Sequence, residues 1–406
     1  MDGDRGPTST AVGFCLLPSE LLHEIFCRLA LPEVLRLKSV SKALGSLIAA
    51  DDFRRLYDQR SGPGGGWVFV FKKRPPRDAV LRGFNARSGR WFQIPVAGIL
   101  KPPEVPPGED LYFLAASGDL FLFASNGRRE LVAVNLATRS VRRIPASPLG
   151  PRGTSSWRRS GLKLVSDPSG TDRFRFLFAE MDRNRPFVFE YCSETDAWHS
   201  REARSGDGEP ARVEREGRIW LSVVHFGSES VLLRAGGRGD GPAVFRPRFP
   251  GGLGPMTSDR LQVYGEGSVA VIRSRAIDEG GRVRVRVVTG VELWGLSLDG
   301  REWELVSRVA EEVVEGIRKP YGVMMGCLVE RDGVVRLVLM SNCKGSWDIA
   351  WLSYDRFGKH WTWVPVPDCG TKGLNMAGIA FSTTFSRLWP STSALDFAPC
   401  HHGLPI

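Results

Sequence analysis

The feature that most constrains this 406-residue chain is an eight-residue unit that recurs along it. Each copy ends an apolar run, makes a polar turn, and opens a new run on an aromatic or apolar residue. The copies are Phe84-Asn85-Ala86-Arg87-Ser88-Gly89-Arg90-Trp91, Val134-Asn135-Leu136-Ala137-Thr138-Arg139-Ser140-Val141, Tyr191-Cys192-Ser193-Glu194-Thr195-Asp196-Ala197-Trp198, Leu296-Ser297-Leu298-Asp299-Gly300-Arg301-Glu302-Trp303 and Tyr354-Asp355-Arg356-Phe357-Gly358-Lys359-His360-Trp361. A degenerate copy lies near Phe245–Phe249. The closing positions 91, 141, 198, about 249, 303 and 361 are separated by steps of 50, 57, 51, 54 and 58. A fixed period of this size means one supersecondary unit repeated, each copy burying its apolar face on its neighbours.

The units sit among short runs of Val, Ile, Leu, Phe and Tyr separated by Gly, Asp, Asn, Ser and Pro. Examples are Trp67–Phe71, Leu111–Leu114, Leu120–Phe123, Leu131–Val134, Phe174–Phe178, Phe187–Tyr191, Ile219–Val224, Ser268–Ile272, Val283–Val288, Val334–Leu339 and Ile349–Tyr354. Such spacing reads as many antiparallel strands, and a period near fifty fits one four-stranded propeller blade. Six closing positions predict six blades over 67–389. Trp91, Trp198, Trp303 and Trp361 are expected as large apolar blocks wedged between sheets. A ring needs its last sheet to meet its first, and Met376–Phe385 is the apolar segment available to complete the first blade. One helix is expected at Val306–Ile317. The Ser- and Pro-rich segment 390–406 is expected to be a loose tail.

The texture before Trp67 is different. Residues 1–14 are rich in Gly, Ser, Thr and Asp and are expected to be disordered. Over 15–60, Leu21, Leu22, Ile25, Phe26 and Leu29 form one stripe of an amphipathic helix preceded by Pro18. Pro32 restarts the chain into a second helix with Val34, Leu35, Leu37 and Val40, and Leu44, Leu47 and Ile48 mark a third. Three short helices of this size cannot bury their own stripes well. Their apolar surface is meant either for a partner's helices or for the rest of the same chain. The run 61–66, Ser-Gly-Pro-Gly-Gly-Gly, is a linker or sharp boundary.

Composition narrows the function. The net charge of +10 invites a nucleic-acid reading, but the basic residues are scattered. The densest groups are Lys72-Lys73-Arg74 and the alternating Arg282, Arg284 and Arg286, which share one strand face. Seven cysteines without a Cys-x-x-Cys pair argue against a disulfide framework or structural zinc and place the chain in the nucleus or cytoplasm. No apolar run is long enough for a membrane span, and charges near the N-terminus break any secretory signal. No phosphate loop, dinucleotide fingerprint, nucleophile elbow or His-Glu-x-x-His motif occurs. The His cluster at Cys400-His401-His402 lies at a terminus that holds no metal geometry, so no catalytic residue, metal or cofactor is expected.

Leu17-Pro18-x-x-Leu21-Leu22-x-x-Ile25-Phe26-x-Arg28-Leu29, followed by Leu35-Arg36-Leu37-Lys38-Ser39-Val40-Ser41-Lys42 and Leu47-Ile48, resembles an F-box. It departs from the family at Ala30, where Pro is usual, and at Leu44, where Trp is usual. Trp361-x-Trp363-Val364-Pro365, Ile94-Pro95 and Ile144-Pro145 are similar to strand ends of the kelch-type, galactose-oxidase-like propeller of plant F-box/kelch proteins. The resemblance implies a small all-α F-box followed by an all-β kelch-like propeller, in a substrate receptor of an SCF (Skp–cullin–F-box) ubiquitin ligase. By resemblance, Leu17, Pro18, Leu21, Leu22, Ile25, Leu29, Leu35, Leu37, Val40, Leu44 and Leu47 divide between F-box packing and a Skp-family adaptor. The adaptor in turn brings a cullin and a RING subunit. The target is expected on one propeller rim, with loops Arg152–Arg159, Arg183–Arg185, Arg234–Asp240 and Lys344–Trp347 as candidates. The alternatives are a scaffold outside any ligase, a basic propeller that binds RNA, and a copper oxidase, for which no converging Tyr, His and Cys set is recognisable.

Overall fold

The computed structural model describes residues 17–60, 66–72, 79–100, 111–125, 130–136, 138–146, 162–166, 172–183, 185–205, 219–223, 231–235, 241–250, 260–261, 270–279, 285–321, 323–331, 333–369, 376–382 and 398–399. The expected disordered start at 1–14, most of the linker 61–66, the loop Arg152–Arg159 and the cluster Cys400-His401-His402 lie outside these residues.

The N-terminal block has four helices rather than the expected three: α1 Ser19–Phe26, α2 Leu31–Val40, α3 Lys42–Ala49 and α4 Asp51–Arg60. The fourth follows from local chemistry. Asp51 and Asp52 sit in its first turn, where carboxylates favour the positive helix end. They also pair with Arg54 at 2.5 Å and Arg55 at 2.6 Å. Phe53 and Tyr57, one turn apart, are fully buried. Ser41 caps α3 by accepting from the Leu44 N–H at 3.2 Å. Ala30 precedes α2, and its N–H donates to Glu33 Oε2 at 2.9 Å, a bond that the Pro usual in F-boxes could not make.

The rest is a six-bladed β-propeller. Blade one contains β1 Trp67–Lys72, β2 Val80–Asn85 and β3 Arg90–Pro95. Blade two contains β4 Leu111–Ser117, β5 Leu120–Ser125, β6 Leu131–Asn135 and β7 Ser140–Ile144. Blade three contains β8 Leu162–Ser166, β9 Phe174–Asp182, β10 Arg185–Cys192 and β11 Ala197–Glu202. Blade four contains β12 Arg204–Ser205, β13 Ile219–Val223, β14 Val231–Ala235 and β15 Ala243–Phe245. Blade five contains β16 Arg260–Leu261, β17 Ala270–Glu279, β18 Val285–Leu296 and β19 Trp303–Arg308, with β20 Pro320–Tyr321 beside β18. Blade six contains β21 Val323–Arg331, β22 Val334–Cys343, β23 Ser346–Asp355 and β24 His360–Val364. Middle strands such as β5, β6 and β14 are buried at every residue, because a neighbouring blade covers each face. Outer strands such as β11 expose most of theirs.

The eight-residue unit is the hairpin between the third and outer strands. Its first and last residues face each other across the ladder: Phe84 and Trp91, Val134 and Val141, Tyr191 and Trp198, Leu296 and Trp303, Tyr354 and Trp361. In four of the five copies the sixth residue has a positive φ: Gly89 (63°), Arg139 (57°), Asp196 (51°) and Lys359 (51°). Three of the Trp side chains tie each blade to the one before. Trp91 Nε1 donates to the Pro367 carbonyl at 2.8 Å, Trp198 Nε1 to the Pro145 carbonyl at 2.9 Å, and Trp361 Nε1 to Ser307 Oγ at 3.0 Å. Trp91 and Trp303 are buried, whereas Trp198 and Trp361 are half-buried against their core clusters.

Two expectations need correcting. The degenerate copy near Phe245–Phe249 forms no hairpin. Pro247 and Pro250 lack the N–H groups an outer strand needs. Arg248 instead bridges to blade five, donating to the Arg301 carbonyl at 2.8 Å and accepting from Trp303 N–H at 2.9 Å. The outer position of blade four is filled by β12, which runs parallel to β15. Phe249 still packs between blades, stacked on Trp303 with centroids 5.9 Å apart. The helix expected at Val306–Ile317 begins only at Glu311 (α5 Glu311–Ile317), because Val306–Arg308 extend the ladder of β19.

Closure comes from β25 Met376–Ser382, which supplies the innermost strand of blade one by pairing antiparallel with β1 from Trp67↔Ser382 to Lys72↔Met376. Past it, β26 Ala398–Pro399 adds to β3, so this part of the segment expected to be loose is held by an open sheet edge. A Cβ built on Gly378 would lie 2.0 Å from the Phe113 carbonyl oxygen of blade two. Gly378→Ala should therefore lower the unfolding free energy by about 3 kcal/mol, read as a fall in the urea midpoint. Lys359→Gly, which relieves a left-handed backbone, should raise it by about 1 kcal/mol.

Candidate partner-binding site

Helix α1 has two unlike faces. Leu22 and Phe26 are buried on one. Leu17, Leu21 and Ile25, four residues apart and so on one side of the helix, are 39%, 50% and 37% exposed. Pro18 beside them is exposed too, and Val40 at the end of α2 is 69% exposed. Of the eleven residues singled out from the sequence, Leu22 and Leu44 are core. Leu29, Leu35, Leu37 and Leu47 are half-buried and pack against that core. Leu17, Pro18, Leu21, Ile25 and Val40 are the ones the fold leaves uncovered. Burial of Leu44 places the position of the family's usual Trp inside the helical block rather than on its surface.

The other side of the block rests on the propeller. One apolar cluster runs without interruption from Phe26, Phe53 and Tyr57 to Trp67, Phe69, Phe92 and Phe121 of blades one and two. The polar lock over this contact is Arg87, in the eight-residue unit of blade one. Its guanidinium donates to the Cys27 carbonyl at 2.8 Å, the Leu29 carbonyl at 3.3 Å and the Arg60 carbonyl at 2.9 Å. These carbonyls lie at the C-terminal ends of α1 and α4, where oxygens lack helical donors and the helix dipole favours a cation. Arg60 also pairs with Glu24, binding α4 to α1, and this hydrogen bond holds the Glu24 carboxyl below its ordinary range. Tyr57 Oη donates to the same Leu29 carbonyl at 3.0 Å. Periodicity alone could not reveal Arg87, because its role depends on two helix ends meeting a turn from a distant stretch of chain.

Burial raises the pKa of the Cys27 thiol, so it is a poor nucleophile. Among the described residues no group of three His, Cys, Asp or Glu side chains could hold a metal ion, and no helix is long and apolar enough to cross a membrane. Replacing Arg87 by Met should loosen the helical block without unfolding the ring. Amide exchange in α1 and α4 should quicken about tenfold, the loss of roughly 1.4 kcal/mol of charge-assisted hydrogen bonding, while β5, β9 and β22 keep their protection.

No curated protein sequence matches the chain. Among solved structures it is similar to TolB from Acinetobacter baumannii, at 12% identity and TM-score 0.38 over 81% of this chain and 71% of that one. It is also similar to a chain of a nidogen/laminin complex, at 9% identity and TM-score 0.36 over 79% and 99%. A third likeness is to an endo-arabinase from Bacteroides thetaiotaomicron VPI-5482, at 12% identity and TM-score 0.28 over 54% and 83%. At these values no activity passes from any of them to this chain. A family model described as the F-box domain matches residues 14–56, and the exposed face of α1 therefore belongs to an F-box domain set on a six-bladed β-propeller.

Proposed function

We propose that this chain is the substrate-recognition subunit of an SCF ubiquitin ligase. The observation that carries the reading is the uncovered stripe Leu17, Leu21 and Ile25 on an F-box helix whose opposite face is already buried. An apolar stripe of this kind fits an amphipathic partner surface, and for an F-box that partner is a Skp-family adaptor. Leu17, Pro18, Leu21, Ile25 and Val40 would meet the adaptor, while Leu22 and Leu44 would support them from within. The adaptor would recruit the cullin and RING subunit, and the propeller would hold a target protein. The work done is proximity: a tethered target lysine reacts at high effective concentration with a ubiquitin thioester carried by another subunit. No catalytic group on this chain enters that scheme.

The test is co-purification of the full chain with a Skp adaptor and a cullin, comparing wild type with Leu21→Ser/Ile25→Ser. Wild type should retain both partners. Because both side chains are already solvent-accessible, the variant should keep its melting temperature yet bind the adaptor about thirtyfold more weakly. That is roughly 2 kcal/mol for the apolar area left unburied. Adaptor binding without cullin would favour a scaffold outside any ligase, and a folded wild type that fails to bind the adaptor would overturn the reading.

A further inference from the structure

The four helices of the F-box divide their charges unevenly. On α1 and α4, Glu24 pairs with Arg60, Asp51 with Arg54 and Asp52 with Arg55. Glu33 of α2 accepts from the Ala30 N–H. From Arg36 to Ala50 the chain then carries three cations, Arg36, Lys38 and Lys42, and no carboxylate. Arg36 and Val40 lie one turn apart on the same face of α2, and both are exposed. Lys42 is exposed two residues further on, past the extended backbone of Ser41 (φ −152°, ψ 156°). Lys38, between them in sequence, is half-buried.

The placement of these cations works against the fold. A carboxylate in the first turn favours the positive end of a helix, and a cation there is unfavourable. Helices α1, α2, α4 and α5 follow this rule, with Glu20, Glu33, Asp51 beside Asp52, and Glu311 beside Glu312 in their first turns. Helix α3 has no acidic residue in its first turn and begins on Lys42. Lys38 is brought to the same helix. A Cβ built on Gly45 would lie 3.0 Å from the Lys38 carbonyl oxygen and 3.9 Å from its Cγ, so the bare glycine lets α2 lie close against α3. Glycine in a helix interior is itself unfavourable. Lys38 therefore meets α3 at Gly45, one turn along from Lys42. Local choices that cost stability without a compensating contact inside the chain mark a surface shaped for something else.

We propose that Arg36, Lys38 and Lys42 form a cationic collar flanking Val40 that engages Asp and Glu side chains bordering an apolar groove of the adaptor; the proposal rests on the receptor reading above. The uncovered aliphatic side chains supply the area that holds the complex together. The collar steers the encounter and fixes its orientation, because charges at the rim of an interface act chiefly on the association rate. A protein surface fits this arrangement better than a nucleic acid. Single-stranded nucleic acid needs exposed aromatic platforms, and the exposed large apolar residues of the described helical block, Leu17, Leu21, Ile25 and Val40, are all aliphatic. Val40, 69% exposed between the cations, would gain nothing from a phosphate backbone.

The experiment is stopped-flow association of the full chain with a fluorescently labelled Skp-family adaptor at several salt concentrations. The wild-type association rate should fall as salt rises. Arg36→Glu/Lys42→Glu should slow association on the order of tenfold with little change in the dissociation rate. Arg201→Glu/Arg246→Glu, the same charge change at exposed sites on blade three and beside blade four, should leave both rates as they are. Lys42→Glu alone should raise the melting temperature, because it puts a carboxylate in the first turn of α3, and should still slow association. Opposite effects on stability and binding separate recognition from folding. Equal slowing by both double variants, an association rate indifferent to salt, or a wild-type rate in Arg36→Glu/Lys42→Glu would each overturn this proposal and leave the ligase reading standing. A labelled single-stranded RNA that binds wild type but not that variant, while the adaptor's rates are the same for both, would assign the cations to nucleic acid and overturn it too. Failure of folded wild type to bind the adaptor would instead strike at the ligase reading and take this proposal with it.

Discussion

Everything else in this protein depends on ring closure. A propeller blade is too thin to bury its own faces, so each sheet is stable only while neighbours cover it on both sides. The pairing of β25 with β1 joins sequence positions some three hundred residues apart and removes the two sheet faces and edges that an open array would expose. The approach of Gly378 to the Phe113 carbonyl shows how tightly the innermost strands meet at the seam. The Trp indoles work at the opposite radius. Trp91 bonds to Pro367 across the same seam, just as Trp198 and Trp361 bond to the blades before them, so the join between the ends of the chain is made like any other joint in the ring.

Closure also gives the F-box a firm base. Four helices that bury Leu22, Phe26, Phe53 and Tyr57 have little core of their own. They become part of a larger cluster because Trp67, Phe69 and Phe92 of the closed first blade stand beneath them. Arg87 then fixes the angle of the contact, since one guanidinium bridges three carbonyls from two helix ends. The question whether the apolar stripes of these helices serve a partner or the same chain has a divided answer. One face of α1 serves the chain and the other remains uncovered.

What could be read from the sequence followed burial. Several middle strands, covered on both faces, are runs of consecutive apolar residues, and the described part of every run singled out lies in a strand. The unit from the third to the outer strand was visible because its first and last residues oppose each other and must fill the gap between blades. Outer strands and the shortest strands carried weaker signals: β11 exposes most of its side chains, and β12 and β16 are two residues long. Blade four misled because Phe249 keeps the packing role of a closing residue while Pro247 and Pro250 prevent the strand. The fourth helix was missed because its apolar content is confined to Phe53, Leu56 and Tyr57, with charged residues and Gln59 everywhere else. The exposed stripe on α1 was readable as part of one apolar set, but separating Leu21 and Ile25 from Leu22 required knowing which side the propeller covers.

The difference between the two ends of the ring has a similar origin in topology. A linear reading finds basic residues everywhere, because successive turns alternate between the two ends of the ring. Strands antiparallel to their neighbours sort those turns by position in the blade, which is how Arg87 comes to lie at the end that carries the helices. A closed ring carries the uncovered face of α1 at one end, away from the joins between second and third strands. It also sets the distance between the two ends by the length of a strand. For a protein whose proposed work is to hold one molecule near another, that fixed separation does what catalytic side chains do in an enzyme: it decides which atoms can meet.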